Sequence, residues 1–174
     1  MARSCPRLEM LFVSDCEGVT DETLEAVARG CPQLQHLDVH ECKGVTATAL
    51  EAVARGCPQL QSLCVDDCEG VTGEALKAVA RGCPQLQRLY ARGDFVAGVT
   101  DEVLEAVAHG CPQLQYLDVS EYASVTRDAL FAVARGCPQL KHLILGLCQG
   151  FTGEALKNFA ESYSNIKLHH IADT

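Results

Sequence analysis

Apolar and polar positions alternate in short bursts along the chain, and each burst is followed by a stretch with helical spacing. In residues 31–56, Leu34, Leu37 and Val39 form L-x-x-L-x-V, which predicts a short strand whose alternate side chains turn inward. Thr46 then occupies the position of a helix N-cap. In other stretches acids follow this threonine, as in Thr20-Asp21-Glu22 and Thr100-Asp101-Glu102. Leu50, Val53 and Ala54 come next at i, i+3 and i+4, one apolar face of a helix. Gly56 is expected to stop that helix as a C′ residue, with Pro58 preventing continuation.

The pattern is periodic. CPRLEMLFVSDCEGVT returns as CPQLQHLDVHECKGVT, CPQLQSLCVDDCEGVT, CPQLQRLYARGDFVAGVT, CPQLQYLDVSEYASVT and CPQLKHLILGLCQGFT. The copies open at Cys5, Cys31, Cys57, Cys83, Cys111 and Cys137, spaced by 26, 26, 26, 28 and 26 residues. The expected units are therefore 5–30, 31–56, 57–82, 83–110, 111–136 and 137–162 of one domain over 1–174. A weaker echo, YSNIKLHHI from Tyr163, is expected to cap the end within 163–174. One strand and one helix cannot bury their own apolar faces, whereas stacked copies can share a continuous core.

L-x-x-L-x-V-x-x-C-x-G-V-T resembles the leucine-rich repeats of the cysteine-containing subtype, as found in F-box/LRR proteins and the antagonist-of-mitotic-exit-network family. The resemblance covers nearly the whole chain. It implies an α/β fold, a right-handed leucine-rich-repeat solenoid (horseshoe) with parallel strands on the concave face and helices on the convex one. It also implies a non-enzymatic protein-interaction module like the substrate-recognition repeats of F-box/LRR proteins. No F-box segment precedes the repeats, so the resemblance brings no docking site for a ubiquitin-ligase scaffold. Four residues precede the first unit, so its apolar edge is expected to support self-association near Leu8, Leu11 and Val13.

Charge narrows the partner. The net charge of -9 argues against a nucleic acid held by phosphate neutralisation and favours a protein partner bearing basic groups. No apolar run approaches the ~18 residues of a membrane span, and no signal peptide is visible. The 11 cysteines are odd in number. Six open the units, and Cys16, Cys42, Cys68 and Cys148 recur after the strand, where stacking sets equivalents side by side in one orientation, a poor geometry for bridging. These ten read as small buried hydrophobes in a reducing compartment, hence a cytoplasmic setting. Cys64 differs, because it falls on an outward strand position and is a candidate reactive thiol.

Comparison between the units marks a candidate binding face. Exposed helix positions barely change: Arg29, Arg55, Arg81, His109 and Arg135 occupy one site. Outward strand positions change freely. The candidate contacts are His36, Asp38, His40, Ser62, Cys64, Asp66, Arg88, Tyr90, Tyr116, Asp118 and His142, alongside Met10, Phe12, Ser14, Ser120 and Ile144. Both sets are expected to be exposed, so the contrast favours recognition on the strand side, where Tyr, Phe, Met and Arg suit an interface.

The single break in the period carries an alternative. LYARGDFVAGVT replaces a stretch such as LDVHECKGVT with two residues added, and it contains Arg92-Gly93-Asp94 followed by Phe95. An RGD tripeptide resembles the integrin-binding motif of adhesion proteins, in which the aspartate completes a receptor-held cation site. That reading makes the chain an extracellular adhesion ligand or engineered scaffold, against the reducing pattern of its cysteines. Enzymatic chemistry is not expected, because no phosphate loop, Rossmann glycine pattern, nucleophile elbow or H-E-x-x-H occurs. His36, Asp38, His40, Ser62, Cys64 and Asp66 could surround zinc, but their spacing fits no structural zinc pattern. No metal or cofactor is expected.

Overall fold

A computed structural model describes residues 5–93, 98–120, 125–146 and 153–169. Seven strands are each three residues long: β1 Met10–Phe12, β2 His36–Asp38, β3 Ser62–Cys64, β4 Arg88–Tyr90, β5 Tyr116–Asp118, β6 His142–Ile144 and β7 Lys167–His169. Between them lie six ten-residue helices: α1 Asp21–Gly30, α2 Ala47–Gly56, α3 Gly73–Gly82, α4 Asp101–Gly110, α5 Arg127–Gly136 and α6 Gly153–Ser162. All strands pair in parallel, in chain order, within one sheet. Each strand reaches its parallel neighbour through a helix, and such connections are right-handed. The chain is an α/β repeat solenoid, with one parallel sheet of seven strands among the described residues and a helix between each strand and the next.

Register follows the leucines. Leu11, Leu37, Leu63, Leu89, Leu117, Leu143 and Leu168 are paired across successive strands. Leu89 still meets Leu117 across the 28-residue spacing, so the two added residues are absorbed after β4. The ladder from Leu37 to Leu143 is buried together with Leu34, Leu60, Leu86, Leu114 and Leu140. Leu8, Leu11 and Val13 of the first unit are only half-buried, with β2 as the described pairing partner of β1.

Gly56 does not act as a C′ residue. It is the last residue of α2, Cys57 is the cap, and among the described residues no left-handed φ is found where a helix ends. Its role is close approach instead: a Cβ on Gly56 would lie 2.2 Å from the Ala28 carbonyl oxygen of α1. Gly82, Gly110 and Gly136 meet Ala54, Ala80 and Ala108 in the same way. The repeated Ala-x-Gly, with Arg or His between, therefore lets successive helices pack backbone to backbone. A second inter-unit device lies at the other helix end. The Asp21 carboxylate accepts the Thr46 amide at 2.8 Å and its hydroxyl at 2.6 Å, and Asp101 accepts the Thr126 amide at 2.8 Å. The N-caps of α2 and α5 are thus clamped from the preceding unit, combining capping with a charge-assisted bond.

The cysteines do more than fill space. The Cys57 and Cys83 thiols donate to the carbonyls of Cys31 and Cys57 at 3.7 Å, while Cys42 and Cys68 donate to Val13 and Val39 at 3.0 Å. Each thiol satisfies a carbonyl of the unit before it. Cys5 and Cys16 depart from the expectation of burial, being exposed, and Cys148 lies outside the described residues. Burial raises the Cys57 thiol to about 11 and those of Cys68, Cys83, Cys111 and Cys137 to about 12. Since the thiolate is the nucleophile, iodoacetamide at neutral pH is expected to label Cys5 and Cys16 first. Mass spectrometry that found Cys83 or Cys111 labelled equally fast in the folded chain would contradict this packing.

Candidate functional site

The alternation that buries Leu37, Leu63, Leu89 and Leu117 turns their neighbours onto the opposite face. Two columns result. Met10, His36, Ser62, Arg88, Tyr116, His142 and Lys167 form one; Phe12, Asp38, Cys64, Tyr90, Asp118, Ile144 and His169 form the other. His40, Asp66, Arg92 and Ser120 follow just beyond the strands. Every strand residue singled out from sequence lies on this face, but not all are accessible. His36, Asp38, Ser62, Cys64, Asp66, Tyr90, Tyr116 and His142 are half-buried, and Arg88 is exposed. Asp118 and Ser120 correct the expectation of exposure, at 9% and 3%. Ser120 donates its amide and hydroxyl to Asp118 Oδ1 at 3.1 and 2.7 Å and accepts the Gly146 amide at 3.0 Å, a polar knot that holds both inward.

Aromatic rings form a series across four strands, with Tyr116 and His142 in the first column and Tyr90 and His169 in the second. Tyr90 and Tyr116 have centroids 4.6 Å apart, Tyr116 and His142 5.8 Å, and His142 and His169 5.7 Å. Burial raises both tyrosine hydroxyls above their ordinary range, and the nearby Asp66 and Asp118 add to it. At the other end Met10 and Phe12 are, among the described residues, the large apolar side chains most open to solvent, at 55% and 64%. Burial also drives the Cys64 thiol up to about 12, against the Asp66 backbone amide, which pulls it down, and with the Asp66 and Asp38 carboxylates adding to the rise, so it is a poor nucleophile at neutral pH.

The turns after the first three strands are left-handed at residues other than glycine: Asp15, Glu41 and Asp67 have φ of 52°, 56° and 56°. This geometry lets each amide continue the ladder, as Asp67 does to the Arg92 carbonyl at 3.0 Å. It also brings His40, Glu41 and Asp67 together, with His40 Nε2 2.9 Å from Glu41 Oε1 and 4.0 Å from Asp67 Oδ2. Sequence reasoning grouped His40 with Asp38 instead, because the turn conformation is not visible in residue order. The Arg92 guanidinium stands 3.4 Å from the same Asp67 oxygen, so the cluster already has a cation beside it. Of the RGD stretch, Arg92 is held by this pair and by the hydrogen bond its backbone N–H donates to Asp66 Oδ1 at 2.8 Å. Gly93 has φ of 133° against Asp67, whereas Asp94 and Phe95 lie outside the described residues.

Asp66 is held above the usual carboxylate range, chiefly by burial and further by Asp118, against Arg92 and His40, which pull it down. A carboxyl whose folded pKa exceeds its unfolded one costs stability when ionised, and that cost vanishes below the unfolded pKa. Asp66→Asn is therefore expected to raise Tm at pH 7 and to leave it nearly unchanged near pH 3, by thermal melts followed in circular dichroism. A lower Tm at pH 7 would show that the ionised carboxylate stabilises the fold.

No family model matches the sequence, and no curated protein matches it. Solved structures do. A chain of the yeast Rad7–Elc1 complex aligns with a TM-score of 0.58 at 16% identity over 86% of this chain. This chain spans only 44% of that one's length. The leiomodin-1 actin-binding site 2 aligns at 0.56 and 13%, covering 92% of this chain and 90% of that one. The tropomodulin C-terminal domain of Caenorhabditis elegans aligns at 0.56 and 13%, covering 78% and 86%. At such identities the likeness is one of fold, that of an α/β repeat solenoid. Among the described residues no helix is long and apolar enough to cross a membrane.

Proposed function

We propose that the protein is a non-enzymatic module that holds a protein partner on its concave strand face. The observation that carries this is the division between faces. The helix-side site of Arg29, Arg55, Arg81, His109 and Arg135 repeats almost unchanged, while the strand face differs from unit to unit and bears the ring series from Tyr90 to His169. Half-buried tyrosines on a rigid sheet give contact area at little entropic cost, which suits interface anchors. The fold is shared with a chain of a two-protein complex and with an actin-binding site, which supports the same reading. A photo-crosslinking residue at Tyr116 is expected to give discrete adducts in an extract of the source organism, and one at Arg55 on the helix side none. Tyr90→Ala and Tyr116→Ala should each weaken capture by ~1–3 kcal/mol. Adducts from Arg55 alone would move the interface to the convex side.

The half-exposed Leu8, Leu11 and Val13 support a second contact, association of two copies through the open edge of β1. A monomer by light scattering at high concentration would remove it. The adhesion alternative has less support, since the Arg92 guanidinium is engaged by Asp67. Asp94→Glu is expected to leave cell attachment to the immobilised protein at its background level.

A further inference from the structure

Two imidazoles face each other across β6 and β7. The register sets His142 beside Lys167 in one column and Ile144 beside His169 in the other. The histidine rings meet between the columns, with His142 Nδ1 3.4 Å from His169 Nε2, centroids 5.7 Å apart and planes inclined by 17°. Tyr116 on β5 packs against His142 at a centroid distance of 5.8 Å. His142 is half-buried and His169 exposed. Among the described residues neither of the two facing nitrogens has another protein partner. Of the nearby lysines, Lys141 donates to Gln115 Oε1 at 3.1 Å. Lys167 is exposed to solvent, which screens its charge.

That separation suits a shared metal ion. Two nitrogens bound at about 2.05 Å with a tetrahedral angle between them stand about 3.3 Å apart. As a hydrogen bond the pair is loose, longer than the about 2.7–3.2 Å that an N–H donor prefers to oxygen. Imidazole nitrogen suits Zn2+, Ni2+ and Cu2+, whereas the hard cations Ca2+ and Mg2+ take oxygen. The net charge of -9 adds a field that draws cations to the chain. Residue order hides the pair, because 27 positions separate its members and only the register of β6 with β7 joins them. We propose that His142 and His169 hold one divalent transition-metal ion of the zinc type, bound by Nδ1 of the first and Nε2 of the second. Water or a donor from a bound partner fills its remaining positions. Metal uptake here is independent of whether the concave face holds a protein.

The test titrates Zn2+ into the whole chain by isothermal titration calorimetry. The background carries Cys5→Ser and Cys16→Ser, because those exposed thiols can bind zinc themselves. One Zn2+ per chain is expected, with no uptake of Mg2+. His142→Gln and His169→Gln should each abolish the uptake while circular dichroism stays unchanged, and His40→Gln should leave it intact. Proton NMR of the same background should show the imidazole signals assigned to His142 and His169 moving together as Zn2+ is added. No uptake of Zn2+, equal uptake of Mg2+, or uptake that survives either His142→Gln or His169→Gln overturns the inference. Uptake lost in His40→Gln instead places the ion among His40, Glu41 and Asp67, and overturns it as well. Should a histidine variant fail to fold, the NMR decides: Zn2+ that leaves the His142 and His169 signals in place overturns the site.

Discussion

Replacing Gly82 with alanine is expected to destabilise the fold by about 2–3 kcal/mol. Helix propensity alone argues the other way, since alanine normally exceeds glycine inside a helix by about 1 kcal/mol. The geometry decides against propensity. A Cβ on Gly82 would stand 2.2 Å from the Ala54 carbonyl oxygen, 2.7 Å from its carbonyl carbon and 3.0 Å from its Cβ. The nearest atoms belong to the backbone of α2, so no side chain can turn away. The two helices would have to separate, and the ladder of buried residues beneath them would open. A second substitution isolates the cause: at a left-handed C′ position asparagine is well tolerated, but at a close approach it is no better than alanine. Gly82→Asn is thus expected to cost at least as much as Gly82→Ala in urea unfolding. A neutral or stabilising Gly82→Ala would mean that α2 and α3 do not pack backbone to backbone.

This glycine shows where residue order stops being informative. The period, the parallel sheet and the leucine register were readable because L-x-x-L-x-V has a strand's alternation and recurs at nearly fixed spacing. The inward or outward side of each strand residue follows from the same alternation. What sets Gly56 and Gly82 apart from helix-ending glycines is the neighbouring helix, which the period places nearby without giving a distance. The clamp from Asp21 to Thr46 is equally hidden, since its partners are separated by a unit and belong to different helices. On the strand face, Asp118 looked like an exposed contact until Ser120 and Gly146 were found to hold it in. The series of Tyr90, Tyr116, His142 and His169 needs the register across four strands, including the longer fourth unit. The partner's identity is not written in any of these residues, because the face specifies shape and charge only.

Leu63→Ala is expected to have the other large effect, about 2–5 kcal/mol. Leu63 is fully buried at the centre of the ladder, flanked by Leu37 and Leu89 in neighbouring strands. Truncation removes its own transfer free energy and leaves a void that two rigid neighbours cannot close. The control is already built into the chain. Leu11 holds the same place in the first unit but is only half-buried, with a neighbour on one side alone. Leu11→Ala should therefore cost about half as much or less, although the substitution and the repeat position are the same. Stacked units touch only adjacent units, so the central defect should also weaken the coupling between the two halves. Urea unfolding of Leu63→Ala is expected to lose slope as well as midpoint, while Leu11→Ala lowers the midpoint alone. Equal losses at the two leucines would mean that stacking on both sides is not what stabilises this array. A full slope in Leu63→Ala would mean instead that the units unfold together whatever the state of their centre.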